Sequence, residues 1–201
     1  MKKILFSILL FFTVINFSIA QQPKPELLKQ PDTWEFERFD LPPSFAPQII
    51  YKGFEELRFA PGMFKKDSLD YFTYAFAASI DSVSTISSGE INTYLLHYFK
   101  GLCSAVASDK KMTIDTSVIK VVPDGKKNGL GKEIIYNFTL TVLGVFTDGG
   151  LVKLNLEVKA IKDDLQNKLY LLFITSPQPK SSFVWKKLFE IQKDFKVPGR
   201  K

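Results

Sequence analysis

A single cysteine and a single histidine in 201 residues close off several chemistries at once. Cys103, alone, has no partner for an internal disulfide, so an exported chain of this composition is not a disulfide scaffold. His97, alone, rules out an HExxH protease helix and any zinc centre built from several histidines. There is no glycine-rich phosphate loop and no GxSxG nucleophile elbow. Asp163-Asp164 and Asp148-Gly149-Gly150 lack the spaced oxygen ligands of a calcium loop and read as turns. No metal and no cofactor is expected. The sequence also lacks internal repeats and low-complexity tracts. Beyond its N-terminal end, no apolar run approaches the roughly 20 residues that span a bilayer, so no membrane span is expected.

The one long apolar run is Ile4 to Ile15, interrupted only by Ser7 and Thr13. Lys2 and Lys3 precede it, and Ser18-Ile19-Ala20 places small residues three and one before Gln21. That is the layout of a secretory signal peptide over residues 1–20, cleaved after Ala20. The first mature residue is then Gln21 rather than cysteine, so a lipid anchor is not expected. The mature chain is expected in the periplasm or secreted. Its 25 basic and 21 acidic side chains leave +4. Residues 21–100 carry 8 basic and 11 acidic groups, whereas residues 101–201 carry 17 and 10. The basic half allows a weak contact with an anionic surface. Lysines scattered over strand edges and loops are the ordinary explanation of the bias, and no window pairs lysines with planar aromatics as a nucleic-acid groove does.

Residues 21–50 contain six prolines, which fix φ and remove amide donors, so an extended arm is expected there. Within it, Trp34 to Phe39 alternates aromatic and charged residues, as a short edge strand or a surface-laid arm would. Residues 51–201 read as one domain. Strands are expected at Glu56–Ala60 and Tyr71–Ile80. The second has large residues on one side (Phe72, Tyr74, Phe76, Ala78, Ile80) and small ones on the other, a small face that the helix following it is expected to approach closely. Ser87 and Glu90 fit a capping box, and Ile91, Leu95, Tyr98, Leu102 and Val106 recur at helical spacing. Gly101, in mid-helix, implies a close backbone neighbour. Four further strands follow, near 112–122, 132–147, 151–162 and 168–175. Asp148-Gly149 marks a hairpin, and the Asn155, Glu157, Lys159 side of the third reads as solvated. The last is apolar on both sides and therefore central. A closing helix capped at Ser181 or Ser182 carries Val184, Leu188, Ile191 and Phe195. The order ββ-α-ββββ-α makes an α+β fold: a single largely antiparallel sheet of about six strands with two packing helices.

Candidate chemistry is sparse. Cys103 and His97 share the first helix six residues apart, roughly 120° around it, so they do not meet as nucleophile and base. Glu55, Glu56, Asp67, Asp70 and Asp81 are the acid/base candidates. A glycan or peptide hydrolase would require two of them to converge across a cleft, whereas solvation on loops is the ordinary fate of such groups. Asn137-Phe138-Thr139 matches a glycosylation sequon but lies in an expected strand. Trp34, Phe36, Phe39, Phe45 and Phe64 belong to an aromatic-rich half and are the candidates for a ligand or partner surface; pinning the arm and filling the core is the competing role.

Asp40-Leu41-Pro42-Pro43-Ser44-Phe45-Ala46-Pro47, followed by Glu55-Glu56-Leu57-Arg58-Phe59-Ala60-Pro61-Gly62-Met63-Phe64, resembles a signature of uncharacterised exported bacterial proteins. Tyr71 to Phe76 and Tyr98 to Leu102 fit the same pattern. That family implies export but no activity. The final strand, the Ser176-Pro177 break and the closing helix are similar to the tail of Mog1/PsbP-like domains, which implies an α+β fold used for binding and assembly. The functional expectation is a non-catalytic binding or assembly module of the cell envelope, meeting another envelope protein or a small ligand. The alternatives are a carboxylate hydrolase and a carrier of small apolar ligands, the latter needing a pocket of at least ~300 Å³.

Overall fold

Period-two alternation dominates the chain, and it builds one seven-stranded antiparallel sheet. The computed structural model describes residues 24–128 and 133–199; the expected leader, 1–20, lies outside the described residues. The strands are β1 (Glu35–Leu41), β2 (Gly53–Phe59), β3 (Tyr74–Asp81), β4 (Lys120–Asn128), β5 (Glu133–Leu143), β6 (Leu151–Asp163) and β7 (Lys168–Ser176). Their spatial order is β1-β2-β3-β7-β6-β5-β4. Two meanders therefore meet at a β3–β7 seam, with β7 in the middle as its two apolar sides imply. Helix α1 (Ser88–Asp109) carries the chain from that middle to the far edge, and α2 (Phe183–Asp194) follows β7.

The sheet has seven strands rather than six because part of the arm joins it. Residues Glu35 to Leu41 pair with β2 along their whole length, from Glu35↔Phe59 to Leu41↔Gly53. Exposed Glu35, Glu37 and Asp40 put charge on this edge, which discourages further strand pairing. At the opposite edge, β4 begins at Lys120, later than residue 112, and runs through Pro123-Asp124-Gly125 instead of ending there. The register shifts between Pro123 and Lys127. An edge strand tolerates such a bulge because proline has no ladder donor to lose. β3 starts at Tyr74 rather than Tyr71, since Phe72 has φ 48, outside extended backbone.

Both sheet faces are covered. On one, Tyr74, Phe76, Ala78 and Ile80 of β3 join a large core with Ile91, Tyr94, Leu95, Tyr98 and Phe99 of α1. On the other, Ala75 and Ala77 meet Val184, Trp185 and Leu188 of α2, together with Leu27, Leu28 and Trp34 of the arm. The small face of β3 thus receives the last helix and not, as expected, the one that follows β3; α1 packs on the large face, where its tyrosines meet Phe76 and the β3–β7 seam. The polar side of β6 is partly covered too. Lys180 donates to Asn137 (2.7 Å) and Glu157 (2.5 Å), and Asn155 donates to the Gln178 carbonyl. A segment that returns over the sheet can cover polar side chains if it supplies their partners.

The capping box of α1 forms as the sequence implies: Glu90 N–H donates to Ser87 Oγ, and Ser87 N–H to the Glu90 carboxylate. The buried face is wider than the expected stripe. Tyr94, Phe99, Cys103 and Ala107 are buried, while Leu102 and Val106 are only half-buried. The helix is sandwiched, with the sheet on one side and residues 45–49 on another. Gly101 marks the crossing, where an added Cβ would lie 2.1 Å from the Phe45 carbonyl oxygen and 3.2 Å from the Ala46 Cα. Backbone must move to admit it. Gly101→Ala is therefore expected to destabilise the protein by about 1–3 kcal/mol despite alanine's better helix propensity, measured as a lower urea midpoint. An unchanged or higher midpoint would show that the 45–46 segment is not held against the helix.

Candidate functional site

The chemistry-bearing residues concentrate on β2, where strand alternation sends Glu55 to the α1 face and Glu56 to the α2 face. Both are fully buried, so neither is a solvated loop carboxylate. Glu56 is sealed by the arm. Its Oε1 accepts from the Glu26 amide (2.8 Å) and Arg38 Nη1 (3.1 Å), and its Oε2 from the Leu27 and Leu28 amides (2.8 and 2.9 Å). Two residues along the same face, Arg58 does the converse. Its guanidinium donates to the Leu28, Trp34 and Lys29 carbonyls and lies over the Phe36 ring. Amides go to the glutamate and carbonyls to the arginine, which accounts for an arm that makes few regular strand bonds of its own.

Glu55 has no cation. Its two oxygens accept from the Tyr94 and Tyr98 hydroxyls, each at 2.8 Å, one helical turn apart on α1. These rings are held by stacking. Tyr98 lies on Phe76 and Tyr94 on Phe173, and Phe76 and Phe173 stack across the seam at 4.2 Å. Ala78, the cross-strand partner of Glu55, is the small residue in β3's large face, which leaves room for the hydroxyls. Burial raises the Glu55 carboxyl from 4.5 to about 7, against the lowering effect of the two tyrosine bonds. Burial, and then the Glu55 charge, pushes Tyr74, Tyr94 and Tyr98 well above the usual phenol range.

The remaining acidic candidates do not join these two. Asp67 and Asp81 are exposed, Asp70 is half-exposed in the 65–70 turn, and Asp81 pairs with Lys168 at 3.0 Å. The aromatic candidates also separate. Trp34 and Phe36 lie on the α2 side of the sheet, while Phe39 and Phe45 are in edge contact on the α1 side, Phe45 against Tyr98. Phe64, 44% exposed, meets Phe59 at a tilt and Phe146 edge-on. Cys103 is buried with its thiol pushed up to about 11 by burial, and half-buried His97 lines a different surface. Among the described residues, no three of His, Cys, Asp and Glu are grouped to hold a metal ion, and no helix is long and apolar enough to cross a membrane.

Two clefts remain. The larger, about 680 Å³, lies between arm residues 26–34 and the 187–199 stretch of α2 and the tail. Its floor is Leu27, Leu28, Trp34, Ile191, Phe195 and Val197, all buried. Its rim alternates Lys29, Lys187 and Lys196 with Glu26, Glu190 and Asp194. Of the surface candidates named from sequence, it takes in only Trp34. The smaller, about 370 Å³, lies between Gln48–Tyr51 and the first turns of α1, with Glu90, Thr93, Tyr94 and His97. Neither was visible in the sequence, because each joins segments far apart in the chain. No family model, curated protein or solved structure matches the chain, so the functional reading rests on this geometry.

Two outcomes test the site. The Glu55 carboxyl is raised in the folded chain, so its stabilising contribution is fully present below 4.5 and is lost as pH rises through about 7. The loss corresponds to about 3 kcal/mol. Glu55→Gln keeps partners for both tyrosine hydroxyls without a charge, and its urea stability relative to the native chain is expected to improve between pH 5 and pH 8. Parallel pH profiles would show that Glu55 is not the titrating group. Glu56→Ala leaves three amides without their acceptor and takes from Arg38 one of its two carboxylate partners, and is expected to cost about 3 kcal/mol. It should also expose Lys29 to trypsin at enzyme levels that leave the native arm intact; equal resistance would show that the arm is held without the carboxylate.

Proposed function

We propose that this chain is a non-catalytic binding module of the cell envelope, directed there by its 1–20 leader, and that it takes a small amphiphilic ligand in the cleft between the arm and α2. The observation that carries this reading is the cleft itself. Its volume of about 680 Å³ falls in the range of small-molecule sites, and an apolar floor with a few charged groups at the mouth is the usual make-up of such sites. The floor suits an alkyl or aryl body and the alternating rim a polar head.

The disposition of the carboxylates supports binding over hydrolysis. Glu55 and Glu56 sit on opposite faces of a sheet and are each consumed by internal hydrogen bonds. Two carboxyls acting on one bond must share a cleft. The carrier and binding-module expectations therefore merge into one.

The test is an amide-resolved NMR titration of residues 21–201 with 8-anilinonaphthalene-1-sulfonate, an anionic aromatic probe. Saturable shifts confined to residues 26–34 and 187–199, weakened by Lys187→Glu with Lys196→Glu, are the expected result. Shifts centred on 48–51 and 87–97, or no saturation, would overturn the assignment of the cleft.

A further inference from the structure

The mouth of the cleft between the arm and α2 holds charges of both signs that do not neutralise one another. Lys29, Lys187 and Lys196 stand there with Glu26, Glu190 and Asp194. Opposite charges gathered on one rim ordinarily pair, yet only Glu26 is taken, by Arg38 at 2.8 Å. None of the other five forms an ion pair among the described residues. The Lys187 ammonium lies instead over the Phe183 ring, 5.0 Å from its centre, one turn back along the helix and away from Glu190. Lys186 and Lys193, the other basic neighbours of Glu190 on α2, lie outside the cleft lining and are likewise unpaired.

Glu190 and Asp194 are one turn apart at the C-terminal end of α2. Two like charges at that spacing repel each other, and both oppose the partial negative charge of the last helical carbonyls. A cation seated between them relieves both effects. Lys187, Glu190 and Asp194 fall within about 60° of the helix circumference, and Glu190 follows Lys187 by only about 4.5 Å of axial rise. The two signs are thus presented within the span of one head group, beside the apolar floor at Trp34 and Ile191.

We infer that the cleft selects an amphiphile whose single head carries both charges, an ammonium set against Glu190 and Asp194 and an anionic group set against Lys29, Lys187 and Lys196. An anionic head alone leaves the Glu190–Asp194 repulsion in place. A cationic head alone leaves three lysines facing an apolar body. A free apolar peptide also carries both charges, but at opposite ends, whereas the short rise from Lys187 to Glu190 suits a compact head. The volume of about 680 Å³ holds one alkyl or aryl body of ordinary ligand size. This inference rests on the cleft reading and adds to it the class of ligand.

Amide-resolved NMR titrations of residues 21–201 with four probes test it: decylphosphocholine, decyl sulfate and decyltrimethylammonium, each below its micelle concentration, and trileucine. Decylphosphocholine is expected to shift residues 26–34 and 187–199 and to bind about three- to tenfold tighter than the other three, the gain of one or two exposed ion pairs. Glu190→Gln with Asp194→Asn should bring it down to the affinity of decyl sulfate without weakening decyl sulfate itself. Lys187→Gln with Lys196→Gln should bring it down to the affinity of decyltrimethylammonium. All four side chains reach solvent, so a urea midpoint no lower than that of the native chain accompanies both variants. Equal affinity across the decyl series, or tighter binding of either singly charged probe, would overturn the inference and leave the cleft reading standing. Tighter binding of trileucine would overturn it in favour of a peptide. Absence of shifts at 26–34 and 187–199 with every probe would remove the cleft reading along with it.

Discussion

Alternation along a β-strand sends neighbouring side chains to opposite faces, and β2 applies it to two successive glutamates, each fully buried. One carboxylate in each core is an exacting constraint, because an ionised group taken from water must recover its lost hydration from protein donors. The two are met differently. Glu56 has three backbone amides and Arg38, so its charge is matched by charge-assisted bonds. Glu55 has two neutral hydroxyls and no cation, so burial wins and its carboxyl moves up to about 7. The sheet is thereby anchored on both sides from adjacent positions, the arm on one face and α1 on the other.

The aromatic stack belongs to the same device. Tyrosine hydroxyls can serve a buried carboxylate only if their rings cannot swing away, and Phe76 and Phe173 pin Tyr98 and Tyr94 face to face. Phe76 and Phe173 come from β3 and β7, the one pairing that joins the two meanders. The long-range closure of the sheet, the seating of α1 and the satisfaction of Glu55 are thus one packing event. Gly101 adds the arm's second pass to it, since the 45–46 backbone crosses the helix where no side chain intervenes.

Much of this architecture can be read from periodicity. The capping box at Ser87–Glu90, the central position of β7, the closing helix and the close approach at Gly101 follow from local pattern, because each depends on residues within a few turns or a single missing Cβ. What escapes is what depends on partners distant in sequence. Trp34 to Phe39 alternates as an edge strand should, but the partner that makes β1 a strand lies at Gly53–Phe59. The small face of β3 announces a helix, but the one that fills it is α2 from the far end of the chain and not the neighbouring α1. Glu55-Glu56 looks like a solvated pair because charge signals surface when nothing shows the arm or the tyrosines that cover it. The cleft is the extreme case: it exists only between the arm and a helix some 150 positions away, and its one sequence trace is the Leu27, Leu28 and Trp34 series within an otherwise polar, proline-rich stretch.

The division of labour between the two faces bears on where function can reside. On the α1 face, the carboxylate, the stacked rings and Cys103 lie inside a continuous core, and a dry core fixes geometry without admitting a partner. On the α2 face, the cover is made of separate pieces, the arm, the Lys180 segment, α2 and the tail, and pieces that meet leave seams. Glu56 and Arg58 hold the arm firmly enough for its seam with α2 to keep an apolar floor rather than close by collapse. A rigid α1 face behind a composite α2 face therefore puts the proposed binding cleft on the α2 side of the molecule.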